Sequence, residues 1–302
     1  MASNAAGFMT WEDTFQSWGK PPSVSELEKC DNAVRAVRKS IEGSSTLERR
    51  NVSVFAQGSY RNRTNVRADS DVDVCVLCTD SIFFDLPDGK APADFGITTP
   101  AAYPFSQFKN DVGAALTSYF GERSVTRGSK AFDLHANTYR VDADVVPCFQ
   151  YDWYQDLGIC SLGTAFLPDR GKRINNWPEQ SYNNGVIKND ATGRRFKALV
   201  RILKRLRNSM DEDGIAAAKP IASFLIECLV WNVPDDQFGH GTYTGDVRAA
   251  LAHLFNNTMK WEDCSKWCEI NDIKYLFWSG QPWTWEQAHA FVSAAWDYVG
   301  FE

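Results

Sequence analysis

The chain has 302 residues, 44% of them hydrophobic and 13% aromatic, enough to fill one large core or two ordinary ones. Its formal charge of -6 argues against a protein that coats duplex nucleic acid, since that binding draws on many phosphate contacts, whereas a small nucleotide needs only a few well-placed cations. No apolar run approaches the roughly 18 residues that cross a bilayer, and MASNAAGFMT lacks the basic start and apolar centre of a signal peptide, so a soluble, cytoplasmic protein is expected.

Residues 1–20 are aromatic without a clear period. Pro21-Pro22-Ser23 then leads into a helix up to about Gly43, with Ser23 and Glu26 at capping-box spacing and Val34, Val37 and Ile41 on one face. Val52 to Ala56 reads as a strand that stops at Gln57-Gly58-Ser59, and Asp71 to Val76 alternates between two faces as a second strand. Ser106 to Phe120 reads as a helix, and Phe132 to Thr138 and Tyr139 to Phe149 as further strands. The Asn/Gly-rich stretch 175–193 is expected to be a connecting loop. Beyond it helical periodicity takes over, first in the basic segment from Arg194 to Arg207, whose buried stripe is Phe196, Leu199, Val200, Leu203 and Leu206. Further helices are expected over 221–230, 244–255 and 284–298. The fold class is therefore α/β (α+β), with a sheet domain over 1–190 and a mainly helical lobe over 191–302.

The eight cysteines lie in apolar, apparently regular segments, which fits reduced thiols in a cytosol. Cys75 and Cys78 imitate a metal-binding CxxC, but a separation of three on a strand points them to opposite faces.

Chemistry is concentrated in Asp71-Val72-Asp73. Two carboxylates two apart on a strand project from one face, a repulsive arrangement that a divalent cation reverses, and magnesium takes such oxygen ligands together with substrate phosphates. Gly58-Ser59, with eleven residues separating Ser59 from Asp71, adds a turn whose backbone can approach a phosphate closely and whose hydroxyl can donate to it. A third carboxylate comes from Arg140-Val141-Asp142-Ala143-Asp144-Val145; Asp144 directly abuts the apolar strand end, while alternation alone scarcely separates it from Asp142. Three such acids would suit two-metal phosphoryl transfer. Lys197, Arg201 and Lys204 share a stripe that is either a solvated basic face or a triphosphate contact. Ser223 can donate a hydroxyl, and Phe224 can stack on a base or simply open an apolar helix.

Gly58-Ser59, Asp71-Val72-Asp73 and Ala143-Asp144-Val145-Val146-Pro147 resemble the polymerase-beta nucleotidyltransferase superfamily. The runs beginning Gly58-Ser59-Tyr60-Arg61, Asp69-Ser70-Asp71 and Ser223-Phe224-Leu225-Ile226-Glu227 narrow the resemblance to the bacterial CD-NTases, relatives of cyclic GMP-AMP synthase, over about residues 45–240 and closest to their E clade. The resemblance implies a polymerase beta-like sheet core on a long N-terminal helix, a helical lobe, and an active site in the cleft between them. It implies two Mg2+ ions (Mn2+ as a substitute) on Asp71, Asp73 and Asp144, donor triphosphate contacts from Lys204 and Ser223, and base stacking on Phe224. Asn176 matches a position where asparagine accompanies uracil use, and an amide can complement that base edge. NTP substrates, UTP and ATP favoured, would be joined into a cyclic dinucleotide with release of pyrophosphate, acting on a downstream effector in anti-phage defence, with room for a regulatory protein partner. No zinc-binding insertion is present, so activation by duplex DNA is not expected. The alternatives are nucleotide transfer to RNA ends, a small molecule or a protein, and a catalytically silent nucleotide-binding protein.

Overall fold

The computed structural model describes residues 10–66, 71–156 and 158–302. Asp69 and Ser70, part of the family motif, lie outside the described residues. In chain order the elements are helices α1 (Trp11–Trp18) and α2 (Val24–Glu42), strand β1 (Val52–Ala56), the single helical turn α3 (Gly58–Asn62), strand β2 (Val72–Asp85), helix α4 (Phe105–Phe120), and strands β3 (Val125–Arg127), β4 (Phe132–Leu134), β5 (Ala143–Asp156), β6 (Ile159–Phe166) and β7 (Ile174–Asn176). Helices α5 (Pro178–Ala191), α6 (Arg195–Glu212), α7 (Ser223–Trp231), α8 (Tyr243–Thr258), α9 (Trp261–Cys264) and α10 (Trp285–Val299) follow.

The strands form one seven-stranded sheet in the order β1-β2-β5-β4-β3, with β6 on β5 and β7 on β6. The centre is the parallel pair β2–β5, flanked by antiparallel neighbours. Val72, Val74 and Val76 are inaccessible, and so are Cys75 and Cys78, which occupy opposite faces of a strand covered on both sides. The eight cysteines are all free thiols. Helices α2 and α4 pack on each other and on the sheet. Ser23 and Glu26 close the expected capping box at the start of α2.

The chain groups differently from a single cut at residue 190. One unit contains Ser23–Arg61 and the sheet through Glu179; the other contains α1, Asn62–Val66 and everything from Gln180. Helix α1 has no periodic signal because its length is only 8 residues, yet a Thr10–Asp13 capping box starts it and Phe15 is buried in the helical core. The expected loop at 175–193 is instead β7 and α5: Pro178 supplies a preset φ at the first helical position, and buried Gly185 faces Phe196. Packing overrides the poor intrinsic propensity of that Asn-rich stretch. All five residues of the expected α6 stripe are buried.

Candidate active site

Strand pairing sets three carboxylates in a row. Asp73 on β2 is opposite Asp144 on β5, which is opposite Asp133 on β4, while Asp71 precedes Asp73 by two residues and shares its face. Along that face the chain passes from exposed Asp71 through half-buried Asp73 to fully buried Cys75, so the acids stand where a buried face emerges. Burial, reinforced by Asp71 and a hydrogen bond with Asp133, pushes the Asp144 carboxyl up to about 6. Asp71 is raised as well, first by burial and then by Asp142 and Asp133. Asp142 is already used: its Oδ1 accepts the Ala136 amide at 2.5 Å.

Gly58 reaches this row directly. Its φ is +65°, and a Cβ there would lie 2.1 Å from Asp73 Oδ2, so the turn carrying Ser59 approaches the Asp73 carboxylate as closely as it does only for lack of a side chain. The Gln57 amide also donates to the Asp73 carbonyl at 2.9 Å. Gly58→Ala should therefore force Asp73 to rotate and lower activity about 100-fold, an effect seen in steady-state pyrophosphate release. A loss under threefold would contradict the packing of the turn on Asp73.

Among the described residues no three His, Cys, Asp or Glu side chains are drawn tightly around one point. The acids are nevertheless a hard oxygen set, and burial first, then the neighbouring carboxylates, raises the proton affinity of Asp71 and Asp144, a like-charge arrangement that a divalent cation relieves. Asp71, Asp73 and Asp144 fit magnesium on that ground. The sign of the pH effect follows. Asp144 in the folded protein binds its proton more tightly than the unfolded value of 3.8, so stability falls as pH rises from about 4 to about 6 and the penalty is complete above that window. In melting curves without divalent ions, Asp144→Asn should flatten this fall, and Mg2+ at neutral pH should raise the wild-type midpoint. Equal slopes for the two proteins would refute the assignment.

Asn176 lies on β7, half-buried and paired with Thr164, and buried Trp177 follows it.

In the helical unit Ser223 and Phe224 open α7, both exposed, with Arg207 Nη2 donating to Ser223 Oγ at 2.9 Å and Phe224 6.3 Å from the Trp283 ring. Lys204 is placed otherwise than expected. It is 1% exposed, ion-paired with Glu227, and donates to the Thr64 carbonyl at 3.1 Å, while Thr64 Oγ1 donates to Glu227 at 2.7 Å. The basic stripe of α6 is thus closed over by α7 and residues 63–64, with Arg201 Nη1 donating to the Arg63 carbonyl at 2.6 Å. The cation beside Ser223 is Arg207, and half-buried Lys197 lies 5.7 Å from the Tyr182 ring centre, its ammonium made easier to deprotonate by burial and by Arg63. Sequence reasoning missed Asp133, Arg207 and Glu227. Glu227 alone carried a signal, since an acid inside the apolar run Leu225 to Trp231 needs a buried cation.

The profile of the cGAS/DncV-like nucleotidyltransferase C-terminal helical domain matches residues 183–300. The chain is 48% identical to a cyclic dipyrimidine nucleotide synthase CdnE of Legionella pneumophila over 96% of this chain and 98% of that one. Among solved structures it is similar to the Rhodothermus marinus CdnE c-UMP-AMP synthase with Apcpp and Upnpp (29% identity, TM-score 0.85, covering 96% and 97% of the two chains). It is also similar to the Elizabethkingia meningoseptica CdnE cyclic dinucleotide synthase with GTP and Apcpp (33% identity, TM-score 0.80, covering 96% and 99%). Among the described residues no helix is long and apolar enough to cross a membrane.

Proposed function

Because this chain belongs to the CdnE cyclic dinucleotide synthases of the cGAS/DncV-like nucleotidyltransferases, we propose that it makes a uracil-containing cyclic dinucleotide by two-metal nucleotidyl transfer. The observation that carries the reading is the register of Asp73 with Asp144, with Asp71 on the same face. These three residues would hold two Mg2+ ions, which when bound polarise the α-phosphate and neutralise charge on the departing pyrophosphate. Gly58 lets backbone come close to the phosphates and Ser59 offers them a hydroxyl. A ribose hydroxyl oxygen bonds to the α-phosphorus as its proton passes to Asp144. The bond to the bridging oxygen breaks, pyrophosphate leaves with the electron pair, and a second transfer closes the ring.

Arg207 supports Ser223 as a phosphate donor, and exposed Phe224 offers a ring for a base. Lys204, which the resemblance gives as a triphosphate contact, is ion-paired with buried Glu227. The Asn176 amide both donates and accepts, as uracil's edge requires. The dipyrimidine activity in the name of the Legionella relative supports uracil, and it favours a second pyrimidine over adenine as the partner base. The product would signal to an effector in anti-phage defence from the cytoplasm, without duplex DNA as activator, and with a protein regulator acting on the enzyme.

Incubation with radiolabelled UTP, ATP and Mg2+ tests the reaction class. A small phosphatase-resistant product is expected. Label on added RNA or protein would place the chemistry on another acceptor, and binding without pyrophosphate release would mean a silent protein.

A further inference from the structure

Gly163, on β6, is not a left-handed glycine, so any residue could adopt its backbone. Space excludes a side chain instead. A Cβ would stand 2.5 Å from the Asn176 carbonyl oxygen and 3.1 Å from Cδ1 and Nε1 of Trp177. The adjacent ladder explains the crowding. Gly163 is opposite Tyr151 and Ser161 is opposite Trp153, so these four share a face, and the Trp177 indole meets Tyr151 at 5.5 Å and Trp153 at 5.8 Å, both edge-on. The indole, 5% exposed, fills the place that Gly163 leaves, and the backbone of Asn176 is drawn in with it.

We infer that Gly163 is a specificity-determining positioning residue: its missing side chain seats Trp177 and so fixes where the Asn176 amide stands for base selection. The inference rests on the proposed reading of Asn176 as a base contact. Gly163→Ala must move the Asn176 carbonyl by about half an ångström to restore the 3.0 Å that real Cβ contacts require. An amide that reads a base edge by hydrogen bonds loses selectivity quickly with such a shift.

The test is a competition between UTP and ATP for incorporation by full-length Gly163→Ala, with Asn176→Ala alongside. We expect Gly163→Ala to lower the UTP to ATP ratio about tenfold, chiefly through KM for UTP, with kcat changed less than about threefold. Should the alanine variant not fold, Trp177→Phe, which removes the indole edge facing Gly163, is expected to shift the ratio in the same direction. If these variants scale both nucleotides equally while Asn176→Ala changes the ratio, Gly163 is only structural and the inference is overturned. If Asn176→Ala leaves the ratio unchanged too, the base-reading assignment itself fails and takes this inference with it.

Discussion

Asp73→Asn should lower pyrophosphate release about 10³-fold, equivalent to roughly 4 kcal/mol of transition-state stabilisation, while the protein stays folded. Asp73 is level with Asp144, two residues from Asp71 and in contact range of the Gly58 turn. The amide keeps its volume but removes a charge from a group of like charges, so thermal stability without metal should hold or rise slightly. Loss of activity together with unchanged or higher stability is the signature of a residue kept for function rather than for folding. Calorimetric melting and a coupled pyrophosphate assay read the two quantities separately. A variant with wild-type turnover would remove Asp73 from the metal site.

The helical unit should show the reverse pattern. Glu227→Ala leaves the Lys204 ammonium buried without its carboxylate and strips Thr64 of an acceptor, so urea unfolding should show a loss of about 3–5 kcal/mol. Lys204→Met combined with Glu227→Leu should recover most of it, because two apolar side chains of similar size need no partners. The folded double variant should keep the wild-type KM for NTPs. A single variant losing under about 1 kcal/mol would show that the pair is not buried as described.

Much of this was legible in the sequence where local period and burial agree. The alternation of Val72, Val74 and Val76 specified β2 and the shared face of Asp71 and Asp73, and Ser23 with Glu26 marked the start of α2. The α6 stripe from Phe196 to Leu206 was legible for the same reason. Cross-strand facts were not. That Asp133 stands level with Asp144 depends on the register of β4 on β5, and a three-residue strand has too little pattern to announce it. The helix α5 escaped because its Asn and Gly residues favour turns locally. The Glu227 partner of Lys204 escaped for a related reason: a basic stripe on a helix looks the same whether water or a buried glutamate faces it. Alternation leaves Asp142 and Asp144 nearly even, and each carries a hydrogen bond, Asp142 from the Ala136 amide and Asp144 with Asp133.

The central claim is the closing of a small ring that contains uracil. The most direct test is one mass spectrum of the product formed from all four NTPs with Mg2+. A cyclic dinucleotide carrying at least one uracil is expected, absent when Asp73→Asn replaces the wild type. A linear or macromolecule-bound product, or a ring made only of purines, would contradict it.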